Sequence, residues 1–156
     1  LLVYEAAKMA QKGMAGAEIV ENIEQMKRRL AAIFTVDTFE YLLKGGRVTK
    51  VQAFFGTVLD VKPILTLNSE GKIEALGKVR GRKRAVAKLL DIMAEEGEDL
   101  KNQIVGVVHS RAPEDAMELA NVIKSRFDVK EVIIGELSAS IGTHTGPGCL
   151  AVFFYR

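Results

Sequence analysis

Three short stretches carry the residue types and spacing that could do chemistry. Ile141–Gly148, IGTHTGPG, packs three glycines, a proline and a histidine between two threonines just ahead of the apolar tail CLAVFFYR. Glycine admits positive φ and lets other atoms approach the backbone closely. Pro147 fixes its own φ and restrains Gly146. A turn of this composition can aim His144, Thr143, Thr145 and several amide hydrogens at one point, where a carboxylate or phosphate is the natural guest. It is equally consistent with a tight turn that feeds a buried strand and satisfies His144 locally.

The second stretch is LKGGRVTK, Leu43–Lys50. Gly45 and Gly46 break a helix, and Arg47 then stands just ahead of the next one, near the positive end of its dipole. Its planar fork matches a carboxylate or phosphate. An exposed arginine in a helix–helix turn is the plainer reading. The third is GKVRGRKRAVAK, Gly77–Lys88, with Lys78, Arg80, Arg82, Lys83, Arg84 and Lys88 and no acidic residue among them. If the strand continues that far, Lys78, Arg80 and Arg82 share one face, because side chains alternate. The run is either a solvated face or a patch that docks an acidic partner or steers an anionic ligand.

Other chemistries find no support. G-x-x-x-x-G-K-[ST] occurs nowhere, and Gly71-Lys72 is followed by Ile73. Two histidines and one cysteine, far apart, make a poor zinc set, and no metal site is expected. There is no G-x-S-x-G elbow. His109 and Ser110 end a strand, where neighbours point to opposite faces, so they do not form a catalytic pair. Cys149 opens an apolar strand and reads as core. No close carboxylate pair is present, so no catalytic residue is named. The net charge of +2 gives no bulk case for nucleic acid, and the basic run lacks interleaved aromatics.

The elements that must position these stretches follow from periodicity. The 156 residues, 48% apolar and 27% charged, suit one globular domain with a full core. The single cysteine fits a reducing cytoplasm, and no apolar run approaches the roughly 20 residues of a membrane span. Leu1–Tyr4 is apolar, but Glu5 and Lys8 interrupt it and no cleavage site follows, so no secretory signal is read there. The chain opens without Met and in mid-helix, which predicts a piece of a longer protein.

Leu1–Gln11 and Gly16–Ala31 read as helices, the second with Ile19, Ile23, Met26 and Leu30 on one stripe. Ala31–Val36 is a strand, and Asp37 is placed to cap a short helix over Thr38–Lys44. Val51, Phe54, Phe55 and Val58 give Lys50–Leu59 an amphipathic helix. Val61–Leu67 and Lys72–Val79 form a hairpin about Asn68–Gly71. Gly81–Glu96 is a helix, and Ile104–Val108 an unbroken apolar strand. A helix from Pro113 to about Arg126 and a strand over Val129–Gly135 complete a βαβ unit. Leu150–Tyr155 is a buried closing strand. The fold class is α/β, a mixed sheet flanked by helices. Phe54, Phe55, Val58, Leu59, Phe153 and Phe154 form either core or the wall of a long apolar pocket.

In this order and spacing, EYLLKGGRVTKVQAFFGTVLDVKPIL, GKVRGRKRA and IGTHTGPGCLAVFF resemble the DegV family, over about Ile33–Phe154. The resemblance implies a bacterial, cytoplasmic fatty-acid-binding protein of two α/β domains, of which this chain is similar to the C-terminal one. Residues 1–30 would be helices preceding that domain, and 31–156 the lipid-binding domain itself. It implies a long-chain fatty acid as ligand, no cofactor, membrane contact at most transient, and an ATP-dependent fatty acid kinase subunit as partner, the chain being a carrier and not a catalyst. By resemblance His144 and Thr145 belong to the polar network at the carboxylate, Arg47 with Arg82 or Arg80 to the mouth, and Phe54, Phe55 and Val58 to the tail wall. The family's N-terminal domain supplies serine and threonine contacts to the carboxylate, so this chain alone is expected to bind lipid weakly. A different class stays open: a phosphate- or nucleotide-handling enzyme using Arg47, Arg82 and the glycine-rich turn. A third reading is a regulatory domain that uses the basic patch to bind a partner.

Overall fold

Six apolar segments of strand length in one chain must pair to satisfy their backbone and must be covered to leave water. The computed structural model describes residues 1–47 and 60–156. It shows how this is met: a six-stranded sheet in the order β3-β2-β1-β6-β4-β5. The strands are β1 (Leu30–Thr35), β2 (Val61–Leu67), β3 (Ile73–Arg80), β4 (Ile104–His109), β5 (Glu131–Glu136) and β6 (Leu150–Tyr155). Only β4 and β5 pair in parallel, joined through α5 (Pro113–Phe127); the other neighbours are antiparallel. The mixed α/β sheet expected above is therefore present. The expected Lys50–Leu59 helix, with Phe54, Phe55 and Val58, lies outside the described residues.

Alternation along the strands divides the core in two. Ile33, Ile64, Val105, Val107, Val152 and Phe154 face α4 (Arg82–Glu96) and α5, where Leu89, Met93, Leu119 and Ile123 are fully buried. Phe34, Leu65, Ala151, Val108 and Phe153 face the other way. There the cover is made of short pieces: α3 (Glu40–Lys44) and α6 (Ala139–Thr145), which pack on each other. The amino-terminal helices α1 (Leu2–Gln11) and α2 (Gly16–Arg29) pack together, and neither buries a residue completely. Phe153 and Phe154 thus part company, one toward each layer.

The hairpin forms as the turn chemistry requires. Asn68 Oδ1 accepts from the amides of Glu70 and Lys72 at 3.0 and 2.9 Å, and Gly71 takes φ +74°. Two local expectations are corrected. Asp37 does not cap the following helix: α3 begins at Glu40, whose amide donates to Thr38 Oγ1 at 3.2 Å. The Asp37 carboxylate instead meets Lys62 Nζ, which also donates to the Asp37 carbonyl at 3.0 Å and lies 3.5 Å from Asp60. Lys62 is only 8% exposed, and a buried ammonium needs those anions more than a short helix needs a cap. Arg82, in turn, does not share a strand face with Lys78 and Arg80. Gly81 turns the chain at φ +87° and donates its amide to the Asp60 carbonyl, which ends β3 and makes Arg82 the first residue of α4.

Leu89→Ala removes a fully buried side chain from the larger core and should cost about 2–5 kcal/mol, read from the midpoint of denaturant unfolding with unchanged slope.

Candidate functional site

β1, β3, β4 and β5 all end at the same edge of the sheet, where β2 and β6 begin. The three chemistry-bearing stretches meet along this edge, a usual place for sites in α/β folds. The glycine-rich stretch is not the open turn expected from its composition. Ala139–Thr145 is a helix, α6, and only Gly146–Gly148 turns into β6. Ser138 accepts the amides of Ile141 and Gly142 through its carbonyl, and Ser110 exchanges amide–carbonyl bonds with the turn, to Cys149 O at 3.0 Å and from Gly148 N at 2.7 Å. The Ser138 carbonyl starts the helix and the Ser110 bonds hold the turn that follows it, and together with packing on α3 they outweigh the weak helix propensity of glycine.

His144 ends in the last turn of α6, half-buried, with its ring against Gly45 of the second stretch. Any side chain at Gly45 would collide with His144 Nδ1. That nitrogen is buried and has no hydrogen-bond partner among the described residues. Gly146, at φ +74°, lies so close to the Tyr41 ring that a Cβ there would stand 2.6 Å from Cε2. Gly148, at φ +81°, abuts Asp37 in the same way. Here glycine is demanded twice over, by backbone conformation and by contact.

The other expected site residues divide. Thr145 is buried, and its hydroxyl donates to the Ile141 carbonyl at 3.2 Å, so it faces the helix rather than the rim. Arg82 donates through Nε to Asp115 at 2.8 Å and through Nη1 to the Gly148 carbonyl at 2.7 Å. It ties the starts of α4 and α5 to the glycine-rich turn; Nη2 also lies 2.7 Å from Asp115, buried and without a well-aligned hydrogen bond among the described residues. Arg80 is exposed at the end of β3, on the face opposite Val79 and hence on the side of the smaller core. Arg47 is exposed two residues beyond Gly45, its amide bonded to the Leu42 carbonyl at 2.9 Å. Phe54, Phe55 and Val58 lie outside the described residues.

Next to this rim the sheet face carries an apolar groove of about 260 Å³. Leu1 and Tyr4 of α1 stand over Gly106, Val108, Ile133, Gly135 and Phe153, and Leu137 leads from the groove toward α6. The register sets Gly106 between Ile133 and Phe153, and Gly135 beside Val108. At the opposite end Tyr4 donates to Glu131 at 3.0 Å, and Lys8 lies 3.6 Å from the same carboxylate. Tyr155 follows Phe153 on this face. Its buried hydroxyl has no partner among the described residues, and burial, with Glu5 adding to it, pushes it up to about 12. Sequence reasoning passed over this groove. The available signal was a glycine inside each of two apolar strands, where glycine weakens pairing and often marks a close approach.

No group of three metal-ligating side chains occurs among the described residues, and no helix among them is long and apolar enough to cross a membrane. The chain is similar to known proteins over its whole length. A family model described as uncharacterised protein, DegV family, matches residues 1–156. A DegV domain-containing protein of Clostridium perfringens is 37% identical over 154 residues, which is 99% of this chain and 53% of that protein. A fatty-acid-binding DegV family protein from Thermus thermophilus has a structure similar at TM-score 0.87 and 34% identity, over 99% of this chain and 55% of that one. A DegV family protein from Ruminococcus gnavus, refined with vaccenic acid, is similar at TM-score 0.87 and 26% identity, over 98% and 54%. The chain thus spans about half the length of the relatives it matches.

Gly146→Ala forces a left-handed backbone on alanine and drives its methyl into Tyr41; it should cost about 2 kcal/mol or more by denaturant unfolding. Burial pushes the Cys149 thiol up to about 11, against the opposing pull of Thr145 and Arg82. Because the thiolate is the nucleophile, native protein at pH 8 should resist iodoacetamide while unfolded protein is alkylated, read by mass spectrometry.

Proposed function

This chain belongs to the DegV family, and from that premise we propose that it binds a long-chain fatty acid and presents the carboxylate to an ATP-dependent fatty acid kinase. The observation that carries the reading is the apolar groove beside a polar rim in which a buried histidine nitrogen has no hydrogen-bond partner among the described residues. A solved relative described as fatty-acid-binding shares the fold at 34% identity. In this reading the tail lies on the sheet face and the head group at the edge where His144, Arg47 and Arg80 stand. The kinase role rests on the family resemblance of the three motifs.

The energetics separate the two halves of the ligand. Burying a C16 chain contributes on the order of 10 kcal/mol before losses, at about 0.8 kcal/mol per methylene. A hydrogen bond to a charged group contributes about 1.5–3 kcal/mol. The tail therefore sets most of the affinity, while the rim fixes orientation and keeps the carboxylate from being buried unpaired. The chain acts as a carrier, and the chemistry belongs to the partner. We also propose the two-domain plan, residues 1–30 leading into the domain at 31–156, with a preceding domain completing the head-group site. The chain alone then binds lipid more weakly than the two-domain protein.

Native mass spectrometry of the two-domain protein from cells should show a retained fatty acid; a mass equal to the polypeptide alone, with no binding of added palmitate, would overturn the reading. His144→Ala should leave palmitate affinity within about tenfold and lower phosphoryl transfer from ATP to the bound acid by about 10- to 100-fold in the presence of the kinase. Unchanged affinity together with unchanged transfer would remove His144 from the site.

A further inference from the structure

Gly106 and Gly135 sit in the interior of apolar strands, where glycine weakens the element and valine or isoleucine strengthens it. The usual reasons for glycine are missing at both. Neither has the positive φ seen at Gly146 or Gly148. Neither is crowded out of a side chain. A Cβ at Gly135 would meet only Val108 Cγ1, at 3.8 Å, and one at Gly106 would meet the Phe153 side chain at 3.4 Å, both ordinary contacts. What the two share is the groove. Both line it, on one face of adjacent strands, offset by one step of the register.

We propose that Gly106 and Gly135 are specificity positions whose absent side chains set how far an acyl chain can run along the sheet. This rests on the fatty-acid reading above. The two are not equivalent in depth. Gly135 lies next to the end of β5, one residue from Glu136 and close to the rim, whereas Gly106 pairs with Ile133, farther from it. Beyond Ile133 stands Glu131, held by the Tyr4 hydroxyl and Lys8, a polar stop that an acyl terminus does not cross without stranding those groups. A tail that enters at the rim passes Gly135 first and reaches Gly106 only if it is long. Raising the floor at Gly106 therefore shortens the groove, and raising it at Gly135 narrows its entrance.

The test measures dissociation constants of palmitate and decanoate for delipidated full-length protein, wild type and variants, with circular dichroism confirming the fold. Each methylene expelled weakens binding about fourfold. Gly106→Val should lower palmitate affinity on the order of tenfold, two methylenes displaced, and leave decanoate unchanged. Gly135→Val should weaken both acids. Gly106→Ala gives the same selectivity in smaller measure should the valine variant not fold. Wild type that binds both acids, with Gly106 variants that bind both as wild type does or lose both equally, overturns this inference alone. Wild type that binds neither acid overturns the fatty-acid reading itself.

Discussion

The four central strands of the sheet are apolar and cannot leave either face in water, and among the described residues the two faces are covered by unequal means. On one side α4 and α5, fifteen residues each, lay continuous apolar stripes on the sheet and leave Leu89, Met93, Leu119 and Ile123 with no exposure. On the other, α3 and α6 are five and seven residues long, and α1 buries none of its residues completely. Short helices cannot seal a sheet by propensity or length, so their positions are fixed by contacts with the strand ends. Among the described residues the groove lies on this second face. The layer that secures the fold and the layer that holds the groove are separated by one strand thickness, with Phe154 and Phe153 as adjacent residues, one in each.

The rim is held by a small set of polar bonds that serve position before they serve any ligand. Arg82 joins the starts of α4 and α5 to the Gly148 carbonyl. Lys62 gathers Asp37 and Asp60 across the starts of β2 and the end of β1. Gly45, Gly146 and Gly148 then let His144, Tyr41 and Asp37 come within contact distance. A buried or half-buried ion pair is weak evidence for stability, because desolvation offsets attraction. Its value here is geometric: it keeps three segments distant in sequence in one register.

How much of this could be read in advance depended on whether local chemistry and tertiary context agreed. β6 was legible residue for residue, because an apolar run follows a turn. α5 was legible at its start because Pro113 occupies the first helical position. Asp37 and Arg82 were misplaced because each had a plausible local role, helix cap and strand face, that a long-range partner outbid. α6 was hidden by Gly142 and by its neighbours Gly146 and Pro147, which argue for a turn; its helix is started by the Ser138 carbonyl and packs on α3, with His144 against Gly45. The groove was hidden for the opposite reason. An apolar strand looks the same whether its face is filled or open, and only Gly106 and Gly135 interrupt the pattern.

Among the described residues β3 and β5 lie at the two edges of the sheet, and the two differ. β3 carries Lys78 and Arg80 on the face of the smaller core, and a register shift opposite Ile64 and Leu65. Charge and irregularity of this kind discourage another chain from adding a strand. β5 has α1 anchored across it through Tyr4, Lys8 and Glu131. One border is charged and irregular, and the other has a helix tied down over the face beside it, so the two margins of the sheet are marked by unrelated devices.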